Sequence, residues 1–168
     1  MYRKKVFAYV VCGLIAFFVQ PISAAAATPS LAGSWQFTLT PTTPTPPVVE
    51  IAGLATFTTD GSAIETDALE FVPVVVSATP VAHPSTPGHG IWQIANTPET
   101  LYVQYFSLVF LPNGALYAKN VTTMFLSVSD NGDQFTGTYT TDQVIGNVTK
   151  KLSSGTVSGQ LIPHIPLP

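Results

Sequence analysis

From Leu31 onward, apolar and polar side chains alternate with a period of two, and Gly, Pro, Asn or Asp breaks the alternation about every ten residues. A chain patterned this way buries one face of each extended segment and offers no continuous apolar stripe to a helix, whose repeat is 3.6 residues. Trp35, Phe37 and Leu39 alternate with Gln36, Thr38 and Thr40, which predicts a half-buried strand over Ser34–Thr40. In Gln134–Thr141, Phe135, Gly137 and Tyr139 alternate with Gln134 and threonines in the same way. Further strands are expected at Glu50–Thr59, from Ser62 toward Leu69, and at Gly90–Ala95, Leu101–Leu111, Ala115–Ser129 and Val148–Leu161.

Turn chemistry links these segments. Asp60-Gly61, Pro112-Asn113-Gly114 and Asp130-Asn131-Gly132-Asp133 supply the positive φ of tight hairpins, and Asn96-Thr97-Pro98-Glu99 marks another turn. The proline-rich run from Pro41 to Pro47 cannot donate a full ladder of hydrogen bonds and reads as a stiff connection at a barrel mouth. Val74-Val75-Val76, punctuated by Pro73 and Pro80, reads as a short edge strand followed by a loop. Sequential strands joined by local hairpins predict an all-β domain, a single eight-stranded antiparallel up-and-down barrel. A β-sandwich is the alternative, but it usually needs long crossovers.

The start of the chain reads as a leader. Arg3, Lys4 and Lys5 precede an uncharged run from Val6 to Val19, and Ser23-Ala24-Ala25-Ala26-Ala27 offers the small residues of a cleavage site. That run is shorter than the roughly 20 apolar residues that span a bilayer. Residues 1–26 are therefore expected to be a signal peptide and 27–168 a barrel domain with proline-rich loops and tail, secreted or periplasmic, with no stable membrane span after cleavage. Cys12, the chain's one cysteine, lies within the leader, so the mature domain has no disulfide and no thiolate. Cleavage leaves Lys119, Lys150 and Lys151 against nine acids, 3 minus 9, or −6. That balance disfavours nucleic acid as a partner, which needs a basic patch. The scarcity of charged side chains for a wet lumen argues against a lipid-embedded barrel.

Gly33-Ser34-Trp35, a Gly-x-Trp entering the first strand, resembles the lipocalins and wider calycin barrels. The resemblance implies a lipocalin-like barrel closed at one end by the tryptophan. It also implies an arginine packed over that indole, and the chain has none beyond Arg3. Pro87-Gly88-His89-Gly90-Ile91-Trp92 and Phe135-Thr136-Gly137-Thr138-Tyr139 resemble segments of bacterial secreted proteins of no assigned activity, which implies a fold alone. Allene oxide cyclase and dirigent barrels are similar in topology, without their local motifs.

Several residues are candidates for chemistry. His89, between two glycines and close to Trp92, suits either a pocket rim or a tight turn. His83, His89 and His164 lie on separate loops without the short spacing of a zinc site, so no metal or other cofactor is expected. Glu65 and Asp67 share one face, with Glu70 on the other, and are expected on the solvated outside, since Ile64, Thr66 and Ala68 suit the interior. Were one of them desolvated, it could act as a general acid or base. Ser153-Ser154 lacks a nucleophile elbow. Asn120-Val121-Thr122 and Asn147-Val148-Thr149 match the glycosylation sequon. The strand at 101–111 is apolar on both faces, so its outer side is expected to meet a second subunit or a covering loop.

The expected function is binding of a small apolar or aromatic molecule in a lumen lined by Phe37, Trp92, Phe106, Phe135 and Tyr139, with His89 at its rim. Two alternatives are a barrel-type cyclase or isomerase that templates its substrate, and a non-catalytic envelope protein assembling as a homo-oligomer through 101–111.

Overall fold

The computed structural model describes residues 29–43, 50–68, 85–97 and 100–163. The expected leader, the Val74-Val75-Val76 strand, Glu70, His83 and His164 lie outside these residues. Eight strands follow in order: β1 Gly33–Thr43, β2 Ile51–Phe57, β3 Ser62–Asp67, β4 Gly88–Ile94, β5 Leu101–Phe110, β6 Leu116–Val128, β7 Gln134–Ile145 and β8 Val148–Leu161. Each pairs antiparallel with its neighbour, and β1 also pairs with β8 from Trp35↔Leu161 to Thr43↔Ser154, so the sheet closes into an up-and-down barrel. Closure excludes the sandwich, which would leave β1 and β8 as edges. No α-helix occurs among the described residues.

The hairpins form where turn residues allow them. In the β2–β3, β5–β6 and β6–β7 turns, Gly61, Gly114 and Gly132 have φ of +90°, +81° and +75°. Each donates its N–H three residues back, to Thr58, Leu111 and Ser129. Asp60 accepts from the Thr58 hydroxyl and the Ser62 N–H, which holds its carboxyl below the usual range. The last hairpin is longer than expected. β7 runs past Thr141 to Ile145, and Gly146, φ +57°, stands at the first central position of a two-residue turn. β1 likewise continues through Pro41, with a register shift before Thr43 that absorbs the missing donor.

One end of the barrel is packed solid. Trp35 is 1% exposed, and its indole N–H donates to Leu31 O at 2.7 Å. Phe135 lies 5.0 Å from it, ring centre to ring centre, with planes tilted by 51°. Leu31, Leu101, Val103 and Leu126 complete the plug. An eight-stranded barrel is just wide enough for side chains to fill or for one small ligand, and in this half large residues face small ones. Phe37 is paired with Gly53 and Phe135 with Gly159, and each ring lies over its glycine, with no room for a Cβ beneath.

Residue facing departs from expectation on β3. Glu65 is 5% exposed and points inward, as does the half-buried Asp67, whereas Ile64 is 49% exposed and Ala68 is on the outside. The hairpin register decides this: Phe57 faces inward opposite Ala63, Ala55 opposite Glu65 and Gly53 opposite Asp67, so the acids inherit the inner face.

A methyl group at Gly159 would lie 2.3 Å from the Phe135 ring, which is itself wedged against Trp35. Gly159→Ala is expected to cost about 1–3 kcal/mol of folding free energy. Adding Phe135→Leu should make the pair less destabilised than the sum of the single changes, as read by urea unfolding in a double-mutant cycle.

Candidate functional site

The opposite half of the lumen is polar. Its walls come from the ends of strands that converge there: Glu65 and Asp67 on β3, Tyr105 and Ser107 on β5, Asn120 and Thr122 on β6, Tyr139 and Thr141 on β7, and Ser153 on β8. Leu39, Ile51 and Leu152 supply apolar wall, and Ser85 and Thr86 stand ahead of β4. Together the described walls enclose a cavity of about 60 Å³. The dry half keeps only about 10 Å³, between Phe37, Ala55, Phe57, Ala63, Met124 and Phe135. Glu65 and Tyr105 border both spaces, so they form the floor of the chamber where it meets the core.

The polar groups are organised. Thr122 and Thr141 share a hydroxyl hydrogen bond of 2.9 Å, Tyr139 and Ser153 another of 2.9 Å, and Tyr105 reaches Thr122. Asn120 accepts from Gln143 Nε2 at 3.2 Å. Hydroxyls suit this position because each can rotate to donate or accept. Gly88 makes room for the floor: a Cβ there would lie 2.5 Å from Glu65 Oε2 and 2.6 Å from the Tyr105 ring. Burial first, then the charges of Glu65 and Asp67, push the Tyr105 phenol well above its ordinary 10.0. Burial also raises Tyr139, partly offset by its hydrogen bond to Ser153. Both phenols are therefore neutral at ordinary pH, and among the described residues no Lys, Arg or His lines the chamber.

The residues expected to line a ligand site are distributed differently. Tyr139 lines the chamber. Phe37 and Phe135 belong to the filled core, where only about 10 Å³ is left between them and their neighbours. Trp92 lies toward the filled end of the barrel, partly buried against the core, with its indole N–H donating to Thr58 O at 2.8 Å beside the β2–β3 turn. Phe106, 47% exposed, and His89 point outward as a cross-strand pair, so neither lines the lumen. The reason is parity: Tyr105 faces in, so its neighbour Phe106 faces out, and His89 follows its partner. Outside, Lys119 Nζ sits 5.9 Å from the Phe106 ring centre, and Tyr102 meets Phe125 edge-on at 5.6 Å. Of the two sequons, Asn120 faces the chamber, whereas Asn147 is exposed in the β7–β8 turn.

Glu65, Asp67 and Tyr105 are the chamber residues that the sequence reading assigned elsewhere or passed over. The signal that could have found them is the turn at Thr58–Ser62, whose length pairs Phe57 with Ala63 and so turns the acids inward. Among the described residues no group of three or more His, Cys, Asp or Glu could hold a metal ion. In comparisons with protein families, curated proteins and solved structures, nothing matches the chain.

Because the folded state holds Tyr105 protonated beyond the range where an unfolded tyrosine ionises, stability is full below about pH 10 and falls above it. Each such phenol steepens the loss by about 1.4 kcal/mol per pH unit. Tyr105→Phe should flatten the decline measured by urea unfolding between pH 9 and 11, leaving the smaller contribution of Tyr139.

Proposed function

We propose that this barrel, once exported, binds a small molecule at its polar end, with the ligand's hydrogen-bonding group on the Glu65–Tyr105 floor and its apolar or aromatic body toward Leu39, Ile51 and Leu152. The observation that carries the reading is a carboxylate on the lumen floor, with Oε1 of Glu65 wholly removed from solvent. Burying an ionisable group costs several kcal/mol before compensation, so a barrel shaped for stability alone would fill these positions as it fills the other half. Places where a fold departs from apolar packing are where sites are found. The volume supports a compact group rather than a whole drug-sized molecule, which takes about 300 Å³ or more. The lipocalin-like Gly-x-Trp agrees with this arrangement, since Trp35 seals the end opposite the chamber.

Proton transfer in the same chamber, of the cyclase or isomerase kind, is a second reading. It is favoured by the position of Glu65 beside the Tyr105 ring over Gly88. Glu65 would accept the proton while the phenols donate hydrogen bonds to the charge that develops.

An NMR screen of small polar fragments against the ¹⁵N-labelled protein tests the binding reading. Hits should shift the amides of Ser107, Asn120, Thr141 and Ser153, and Ser107→Leu, which fills the chamber, should weaken them at least about tenfold. Hits that move only outward residues such as His89 and Phe106, or no hits, would overturn it.

A further inference from the structure

We infer that the outer face of β3–β6 is the docking surface for a second copy of this chain, seated across a two-fold axis. The outside of the barrel has two unlike sides. Where β7, β8 and β1 run together, the registered rows Gln134–Gln160–Gln36 and Thr136–Ser158–Thr38 present only amides and hydroxyls to water. On the other side, Ile64, His89, Phe106 and Val121 form one outward row across β3–β6, with Ile91 and Leu108 in the rows on either side of it. Ile64, Ile91, Phe106 and Phe125 each leave about half of their surface in water. Threonine suits an outward strand position as well as isoleucine does, so strand propensity does not account for the difference between the sides.

Area and charge both favour a second copy as the occupant. The four half-exposed side chains, with Tyr102, Leu108 and Val121 beside them, offer on the order of 500 Å² of apolar surface, near the top of what a monomer leaves in one patch. With the polar groups between them this reaches the smaller class of specific interfaces, roughly 1,200 Å² over both partners. Lys119 is the one Lys, Arg, Asp or Glu among the described outward residues of these strands. It lies beside Leu108 at the chamber end, and Asp60 lies at the diagonally opposite corner, in the turn before Ser62. In a two-fold contact the same patch serves both partners. An axis through the Gly90–Tyr105 pair therefore sets Phe106 against the partner's Ile91 and Lys119 against the partner's Asp60, and repeats both contacts. A lipid surface is a poorer match, because an anionic membrane is held by clustered Lys and Arg, and this face has one such residue.

Sedimentation velocity of the folded chain from about 5 to 500 µM tests this, a range that brackets the affinity of an interface of this size. The mass should double as concentration rises. Phe106→Glu, at an exposed position, should weaken the dimer at least about tenfold while leaving the urea unfolding midpoint nearly unchanged. Charge reversal tests the axis. Lys119→Glu and Asp60→Lys should each weaken self-association about tenfold, because like charges then face each other twice, whereas an equimolar mixture of the two variants should associate as tightly as the unaltered chain. Circular dichroism checks that Asp60→Lys, which gives up a carboxylate bond to the Ser62 N–H, is folded. A chain that stays monomeric throughout the range, a dimer indifferent to Phe106→Glu, or a mixture no tighter than its components would overturn the inference. So would a monomer that sediments with phosphatidylcholine vesicles and loses them on Phe106→Glu.

Discussion

The pairing of β1 with β8 is the contact on which the rest of the molecule depends. Without it the ribbon has two free edges and an inner face that cannot exclude water; with it, the ladder runs unbroken around the barrel and an inside exists. A ring of eight strands leaves an interior about as wide as its own side chains. The size of each inward residue therefore decides, position by position, whether the lumen is matter or space. Where Phe37 and Phe135 lie over glycines the lumen is filled, and where threonines, serines and an asparagine face in, it is not.

The two halves differ in kind as well as in volume. The plug around Trp35 is held by contact area and one buried hydrogen bond, and it tolerates no additional atoms. The chamber is held by hydroxyls linked across β5, β6, β7 and β8, a network whose members can exchange donor and acceptor roles without moving the backbone. Rigid packing at one end thus supports a polar site at the other. Glu65 and Tyr105 mark the boundary, and burial of the phenol shows how sharply the environment changes over a few ångströms.

Strands and hairpins were largely legible in the sequence because alternation and glycine-bearing turns are local signals. The site was less so, because it depends on which way alternation faces. In Ala63-Ile64-Glu65-Thr66-Asp67 hydropathy points Ile64 inward, but the register inherited from Phe57 outweighs it, since the hairpin cannot slip by one residue without turning every other side chain over. β5 is apolar on both faces, so composition could not choose between Tyr105 and Phe106; the cross-strand partners Thr122 and Val121 make the choice. The extra turn of pairing beyond Thr141 was readable in Gly146-Asn147, but Asp142 and Gln143 look unlike strand residues until Gln143 is seen to bond Asn120 across the sheet.

The seal formed by Leu31 and Trp35 carries a kinetic consequence. For the binding proposed above, a tube stoppered at one end closes that route, so arrival and departure of a guest would retrace one path at the other end. Guests cannot flow through, and a newcomer cannot push an occupant out from behind. Replacement would then wait for a resident molecule to leave on its own, which would make the residence time a property of the occupant and its walls, independent of how concentrated the competitor is.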